Sequence, residues 1–191
     1  MMSSRTDLLA PPVSTPEEAQ TVSIAAPRLR ITTLAPGSEP RLRAVFDAAP
    51  DWFLATGRPA DPNAAALEIA GSAADAGRAI AVISLAESGD DVGAIGWWLH
   101  RPEAGMALLG TLVIASAHRG QGFAAEALGA LEGWLVEMGV KELRTAFPRR
   151  VLPLHPVVKA LGFTEMSIAE HQKLGLGGAN TSLWQKPLEE G

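Results

Sequence analysis

The sequence LVIASAHRGQGFAAEAL, Leu112 to Leu128, joins an uncharged apolar stretch to a helix through a short segment containing two glycines. Arg119, Gly120 and Gly122 lie directly before the first residues of that helix. Glycine lets the backbone approach a ligand closely, and a helix N-terminus presents unpaired N–H groups at the positive end of the helix dipole. The stretch therefore predicts a phosphate-binding loop between a strand and a helix.

Strand and helix patterns surround the loop in an order typical of a mixed fold. Three apolar runs separated by short turns precede it and predict an antiparallel meander, over Ala79–Glu87, Val92–His100 and Met106–Ala115. Upstream, the pattern predicts a strand at 29–34 and short helices, the first ended by Pro50 and the last by Gly71. Downstream, it predicts a helix to Gly139, a strand at 143–147, a short helix opened by His155 and two strands around a glycine-rich turn at 175–178. This order favours an α/β (α+β) fold with a mixed, mostly antiparallel sheet.

The composition indicates a globular chain with no general attraction for polyanions. Of its 191 residues 47% are hydrophobic, enough for a sizeable core, and the net charge of -5 argues against a nucleic-acid partner. The absence of cysteine excludes disulfides, thiolate catalysis and Cys-ligated zinc, and four scattered histidines form no metal-ligand pattern. We expect a cytoplasmic protein without a metal.

Neither a membrane span nor a secretory signal is predicted. The uncharged run Gly105 to Ala117 is well short of the roughly 20 apolar residues that a spanning helix needs, so no membrane partner is expected. Residues 1–26 contain proline, serine and threonine but no apolar core of a signal peptide. We expect residues 1–26 to form a flexible tail before a single domain at 27–191.

Two phosphate-binding interpretations compete for the glycine loop. Gly120-x-Gly122-x-x-Ala125 also satisfies a loose dinucleotide-binding pattern. That pattern follows the first strand of a βαβ series, whereas an antiparallel meander precedes this loop and only about 70 residues follow it, too few for a doubly wound sheet. A Walker loop is excluded because no Gly-Lys-Ser/Thr follows.

The element order, with Arg119-x-x-Gly122-x-Ala124 between the fourth predicted strand and the long helix, resembles the GNAT superfamily of acyl-CoA-dependent N-acyltransferases. The segment Lys159-Ala160-Leu161-Gly162-Phe163 resembles the end of that family's last helix. The resemblance covers about residues 28–187. It implies a twisted sheet of six to seven strands flanked by helices and splayed open between strands 4 and 5.

The resemblance also implies where acetyl-CoA binds. The pyrophosphate would lie on backbone N–H groups of the loop, with added charge from Arg119, and the pantetheine arm would pair like an extra strand with the end of the fourth predicted strand. The implied cofactor-binding residues are Leu112, Val113, Ile114, Arg119, Gly120, Gln121, Gly122, Phe123, Ala124 and Ala125.

The sequence does not single out one general acid or one general base. Many relatives protonate the departing thiolate with a tyrosine in the final short helix, but that position is Val158 and the chain has no tyrosine. Solvent could replace it, and the candidate side chains are Ser116 and His155. No acid lies in the fourth or fifth predicted strand, and His100 at the end of the third is the candidate base. An α-amino acceptor, with a pKa of about 7.7–8.0, would need less help than a lysine.

Aromatic side chains of the first helices and the meander are the expected walls of an acceptor pocket. Trp52, Phe53 and Trp98 are the candidates. Because successive side chains of a strand point to opposite faces, one of Trp97 and Trp98 is expected in the core. Arg58 is the candidate to hold an acceptor carboxylate.

The resemblance therefore implies an N-acetyltransferase that transfers an acetyl group from acetyl-CoA to a primary amine of a small molecule or peptide. The lack of cysteine favours direct attack without an acetyl-enzyme. The alternatives are a non-catalytic acyl-CoA-binding module, suggested by the missing tyrosine and strand carboxylates, and a globular domain without a cofactor. Relatives often dimerise through their C-terminal strands, so a homodimer is one expected assembly.

Overall fold

A computed structural model describes residues 21–56, 61–170 and 180–189, and these residues form a sheet flanked by helices. The strands are β1 (Ser23–Ala25), β2 (Leu29–Thr33), β3 (Arg78–Leu85), β4 (Asp91–Leu99), β5 (Met106–Ile114), β6 (Glu142–Pro148), β7 (Thr164–Glu165) and β8 (Thr181–Pro187). The helices are α1 (Glu39–Asp47), α2 (Pro50–Ala55), α3 (Ala64–Ala74), α4 (Phe123–Glu137) and α5 (Leu154–Ala160), with a 3-10 turn at Ser116–His118.

The sheet is mixed and mostly antiparallel, as the sequence predicts. Its eight described strands follow the order β1-β2-β3-β4-β5-β6-β8-β7. Strands β5 and β6 are parallel, and the other neighbouring strands are antiparallel. Helix α4 makes the crossover between the two parallel strands, since parallel neighbours cannot be joined by a tight turn.

Strands β5 and β6 separate part of the way along their length. Their pairing runs from Met106 opposite Glu142 to Leu109 opposite Thr145, although β5 continues to Ile114 and β6 to Pro148. These are the fourth and fifth predicted strands, so the predicted splay is confirmed. It leaves one edge of β5 without a strand partner beyond Leu109.

A β-bulge lies at the point of separation. Thr111 pairs with Gly96, but Leu109 pairs with Trp97, so Gly110 is the extra residue on β5. A Cβ atom on Gly110 would overlap the ring of Trp98, so only glycine fits beneath that indole. A bulge bends and twists its strand, which fits the departure of β5 from β6 here.

Two hydrophobic cores cover the two faces of the sheet. On one face, Leu128, Leu131 and Leu135 of α4 pack against strand residues that include Trp97. On the other face, α1, α2 and α3 pack on the strand residues Ile80, Val82, Ala94 and Val113. The alternation of side chains along each strand supplies both cores.

Two helix boundaries differ from the sequence predictions. Pro50 does not merely end α1 but is the first residue of α2, where its fixed φ and missing N–H are tolerated. Helix α3 continues past Gly71 to Ala74. Glycine suits position 71 inside this helix because the Arg78 guanidinium occupies the space that a Cβ atom would need.

The N-terminal boundary also requires a correction. Ser23–Ala25, which the sequence analysis assigns to the tail of residues 1–26, form β1 and pair with β2. Ile24 is buried opposite Ile31, so these residues belong to the folded domain and not to a tail. Residues 1–20 and the predicted glycine-rich turn lie outside the described residues.

Two equivalent substitutions test the packing of α4. Leu131→Ala is expected to lower the free energy of unfolding by about 2–5 kcal/mol, because Leu131 is fully buried. Leu67→Ala on α3 is the control and is expected to change it by less than about 0.5 kcal/mol, because Leu67 is exposed. Urea unfolding measures both, and equal losses would contradict the packing described.

Candidate active site

The separation of β5 and β6 opens a cavity of about 830 Å³, called here the cleft. Residues 109–114 of β5 and 145–147 of β6 form its two sides. The glycine loop, three residues of α2 and much of α5 complete the walls. The cleft therefore joins the unpaired strand edge to the loop in one continuous space.

The edge of β5 that faces the cleft offers backbone donors. Ala115 N–H donates to β4 at 2.9 Å, so by alternation the N–H and C=O groups of Leu112 and Ile114 point away from β4 and into the cleft. Both carbonyls already accept a hydrogen bond, from Trp52 Nε1 and from Arg119 Nε respectively, each at 3.0 Å. The two N–H groups face no strand, because the pairing with β6 ends earlier.

The glycine loop supplies further backbone donors beside the same cleft. Gly120 and Gly122 have φ angles of 75° and 81°, which glycine adopts without strain, and Gly122 is the N-cap residue of α4. Glu126 N–H makes the first helical bond, to Gly122 O at 3.0 Å, whereas the N–H groups of residues 120–125 donate to no other described residue. Free N–H groups at the positive end of a helix suit an anion.

The expected acetyl-CoA residues are mostly brought together on the cleft. Its lining includes Leu112, Val113, Ile114, Arg119, Gly120, Gly122, Phe123, Ala124 and Ala125. Gln121 is exposed and does not line the cleft. Phe123 is buried, so its side chain belongs to the core.

The Arg119 side chain is turned towards α2. Its NH1 and NH2 atoms donate to the two carboxylate oxygens of Asp51 at 2.6 and 2.9 Å, and its Nε atom donates to Ile114 O. The hydrogen bonds from Arg119 hold the pKa of the Asp51 carboxyl below its usual value. Arg119 thereby ties together α2, the end of β5 and the start of the loop.

Arg28 is a cation at the loop that the sequence analysis did not single out. Its Nε donates to Glu126 Oε2 at 2.7 Å, its NH2 donates to Gln121 O at 3.1 Å, and its guanidinium lies 4.7 Å from the centre of the Phe123 ring. Glu126 and Gln121 lie 98 and 93 residues after Arg28 in the sequence. No local pattern could have linked Arg28 to the loop.

The polar side chains in the gap between the strands are two threonines. Thr111 is buried at the bulge, and Thr145 Oγ1 donates to Leu109 O at 3.0 Å. Val158 of α5, at the position where relatives carry a tyrosine, is buried and lines the cleft. This wall therefore offers no hydroxyl at that position.

The three candidate proton carriers lie apart, and none lines the cleft. His100 is exposed in the turn after β4, and Ser116 is exposed at the start of the 3-10 turn. The His155 ring packs against Phe147 and Trp184 with centroids 5.5 and 5.4 Å away. The structure does not assemble these three side chains into one site.

Trp98 forms a wall on the sheet face that carries α1–α3. It lines a cavity of about 300 Å³, called here the Trp98 cavity, which shares residues 109–111 and Ala146 with the cleft. Its ring lies 4.7 Å from the Arg78 guanidinium, and Arg78 NH2 donates to Glu68 Oε2 at 2.6 Å. Trp97 is buried in the opposite core, which confirms the predicted division of the two tryptophans.

The other expected acceptor residues occupy different places. Trp52 lines the cleft and stacks on Phe46 at 5.6 Å. Phe53 is buried in the α1–α3 core and lines none of the cavities described here. Arg58 lies outside the described residues.

Comparisons with known proteins agree with this geometry. The family model described as acetyltransferase (GNAT) domain matches residues 28–164. An acetyltransferase from Thermus thermophilus is 23% identical with a TM-score of 0.70, covering 87% of this chain and 100% of its own. An acetyltransferase from Agrobacterium tumefaciens is 21% identical with a TM-score of 0.64, covering 86% and 93%. None of the curated proteins compared matches the sequence.

A further similar structure is the PaiA N-acetyltransferase from Thermoplasma acidophilum in complex with coenzyme A. It is 16% identical with a TM-score of 0.62, covering 83% of this chain and 98% of its own. The chain belongs to the GNAT acetyltransferase family. The comparisons do not favour the alternative of a non-catalytic module.

The residues that the structure describes contain neither of two further features, a membrane-spanning helix or a metal-binding cluster. They include no helix of the length and apolarity needed to cross a membrane. Within the same ranges, no three His, Asp or Glu side chains are grouped so that they could hold a metal ion.

The ion pair between Asp51 and Arg119 makes a pH-dependent prediction. The pKa of Asp51 is expected below that of a free aspartate, about 3.9, and Arg119→Gln is expected to raise it. Because this pKa is lower in the folded than in the unfolded chain, the pair stabilises the fold above about pH 4, and the effect is lost as pH falls through the folded-state value.

NMR titration of the Asp51 carboxyl carbon measures the pKa, and chemical unfolding across the acid range measures the stability. The difference in stability between wild type and Arg119→Gln should shrink in acid. A pKa of Asp51 that Arg119→Gln leaves unchanged would contradict the ion pair.

Proposed function

We propose that this protein transfers an acetyl group from acetyl-CoA to a primary amine of a small molecule or peptide. The observation that carries the proposal is the set of unpaired backbone N–H groups around one cleft, those of Leu112 and Ile114 on β5 and those of residues 120–125 in the loop. An acyl-CoA has amide carbonyls along its pantetheine arm and phosphates at its other end. Both are hydrogen-bond acceptors, so they match these donors.

The loop end of the cleft suits the phosphates. Helix α4 directs its free N–H groups there. The Arg28 guanidinium lies beside the loop against Phe123, with its charge balanced by Glu126. Arg119 acts through position rather than by contact, because Asp51 already holds its guanidinium. In this proposal Arg119 orients the loop and the end of β5.

The amine approaches from the face that carries α1–α3. Gly110 and Ala146, the small residues on the two sides of the gap, are shared by the cleft and the Trp98 cavity. Small side chains leave room there for a thioester to meet an amine. The aromatic wall of Trp98 and the polar pair Glu68 and Arg78 then surround the acceptor.

The reaction is direct attack of the neutral amine on the thioester carbonyl. The C–N bond forms, the C–S bond breaks, the amine proton passes to water, and coenzyme A leaves as a thiolate that solvent protonates. The preorganised N–H donors bind the thioester and hold its carbonyl near the gap, which reduces the entropy loss of a bimolecular encounter. Val158 of α5 has no ionisable group, so α5 supplies no acid at this position and solvent is the proton source in this proposal.

Acetyl-CoA binding tests the donor site through two variants of the same helix. Ala125→Glu adds a negative charge to the first turn of α4, where it does not harm the helix but repels phosphate, and it is expected to weaken binding at least about tenfold. Gly129→Glu adds the same charge at an exposed position with open space around it, and about twofold or less is expected. Titration calorimetry measures both affinities.

Equal affinities for the two variants would place the phosphates away from the loop. If folded wild-type protein shows no binding of acetyl-CoA by calorimetry, the proposed function is wrong.

Direct attack makes a separate prediction. Incubation with acetyl-CoA in the absence of an amine is expected to leave the protein mass unchanged, because the chain has no cysteine to carry the acetyl group. Intact-mass spectrometry after rapid acid quench provides the measurement. An acetylated protein that passes its acetyl group to an added amine would show a two-step route instead.

A further inference from the structure

A third cavity, of about 540 Å³, lies on the same sheet face beyond the Trp98 cavity and is called here the Arg144 cavity. The two cavities share Leu108 and Ala146. Ala146 also lines the cleft, so it borders all three spaces. A molecule seated in the Arg144 cavity can therefore extend past Ala146 to the gap where the thioester is proposed to lie.

Arg144 is a buried cation with unused hydrogen-bonding capacity. The residue is only 4% exposed, it lines this cavity, and its NH1 atom has no hydrogen-bond partner among the described residues. Its Nε atom donates to Glu142 Oε1. An unsatisfied N–H of a buried guanidinium is costly, so its retention favours a partner supplied by a ligand.

The arginines of this chain reach carboxylates in two ways, and the single-nitrogen way is also found outside this face, at Arg43 and Arg149. Arg41 and Arg119 each donate from two nitrogens to both oxygens of one carboxylate. Arg78, Arg101 and Arg144 each reach their carboxylate through a single nitrogen. The three belong to the Trp98 and Arg144 cavities, where guanidinium donors thus remain for a ligand.

From this arrangement we infer that the acceptor amine carries a carboxylate, and that Arg144 binds it. This inference rests on the proposed acetyltransferase function. A carboxylate presents two oxygens to the planar fork of a guanidinium, the geometry that makes arginine the preferred partner of carboxylates. Arg78, Arg101 and Arg144 are each already paired with one carboxylate, so these cavities carry little net positive charge. Binding of the acceptor carboxylate therefore depends on the direction of the remaining N–H donors.

His100 supplies a further donor at the same cavity. Gly105 N–H donates to His100 Nδ1 at 3.4 Å, which assigns the ring proton to Nε2 when the imidazole is neutral. His100 lines the Arg144 cavity together with Arg101. The candidate base of the sequence analysis is therefore better placed to hold the acceptor than to deprotonate it.

The distance along β6 limits the size of the acceptor. Arg144 and Ala146 are two residues apart on one face of the strand, so their Cα atoms are separated by about 7 Å, and the acceptor must reach from the Arg144 cavity to Ala146. An ω-amino acid, or an amino acid with an acidic side chain, bridges such a span between its amine and its carboxylate. The acceptor class is thus a compact amino acid or a peptide end rather than a polyamine.

Matched substrate pairs test the inference in wild-type protein. The pairs are β-alanine and β-alaninamide, γ-aminobutyrate and its amide, and 5-aminovalerate and its amide, with release of coenzyme A as the readout. For at least one pair the carboxylate is expected to have a kcat/KM at least about tenfold above that of its amide, since hydrogen bonds between two charged groups are stronger than those to a neutral amide.

Arg144→Met is expected to remove that preference by raising the KM of the carboxylate about tenfold or more, with kcat and the KM of the amide little changed. Arg43→Met is the control, because Arg43 is exposed on α1 and lines none of the three cavities. Thr181→Asp provides a second variant that keeps Arg144 in place. It puts a competing carboxylate into the same cavity and is expected to weaken the carboxylate substrate selectively.

The outcomes separate the inference from the function on which it rests. Turnover of the amides as good as that of the carboxylates in wild type overturns the inference and leaves the acetyltransferase in place. The same conclusion follows if Arg144→Met, or Thr181→Asp where the former does not fold, lowers both members of a pair equally. No binding of acetyl-CoA and no turnover of any amine defeats the proposed function itself.

Discussion

The early end of the pairing between β5 and β6 is the constraint on which the rest of this molecule depends. Past Leu109 the two parallel strands part, and the bulge at Gly110 turns β5 away beneath the Trp98 ring. A strand edge in the middle of a sheet would ordinarily carry unpaired backbone groups at a cost in stability. Here the molecule satisfies the carbonyls of Leu112 and Ile114 from its own side chains, while the N–H groups of the same residues face the cleft.

Helix α2 provides, directly or through Arg119, the hydrogen bonds to these two carbonyls. Its consecutive residues Asp51 and Trp52 reach, respectively, the Arg119 guanidinium and the Leu112 carbonyl. Arg119 in turn holds the Ile114 carbonyl. Contacts from one turn of α2 therefore reach the end of β5 and, through Arg119, the start of the loop.

The sequence predicted what depends on local patterns and missed what depends on distant contacts. The meander, the loop and α4 follow from apolar periodicity and glycine positions, and the splay followed from the resemblance that those patterns support. Arg28 could not be found because its partner Glu126 lies 98 residues away, nor could the unused donor of Arg144, which becomes visible only when strand faces and cavities are known. The residues that contact the acyl donor and the acceptor stay predictions.

The placement of the tryptophans gives the molecule an optical property. Trp97, Trp134 and Trp184 belong to the core, whereas Trp52 and Trp98 line the cleft and the adjoining cavity. Indole emission is sensitive to local polarity and to the hydrogen bond of its N–H, and the N–H of Trp52 is bonded to the strand edge itself. Two of the five tryptophans thus line the spaces around the gap, so their emission reports on those spaces without any label being attached.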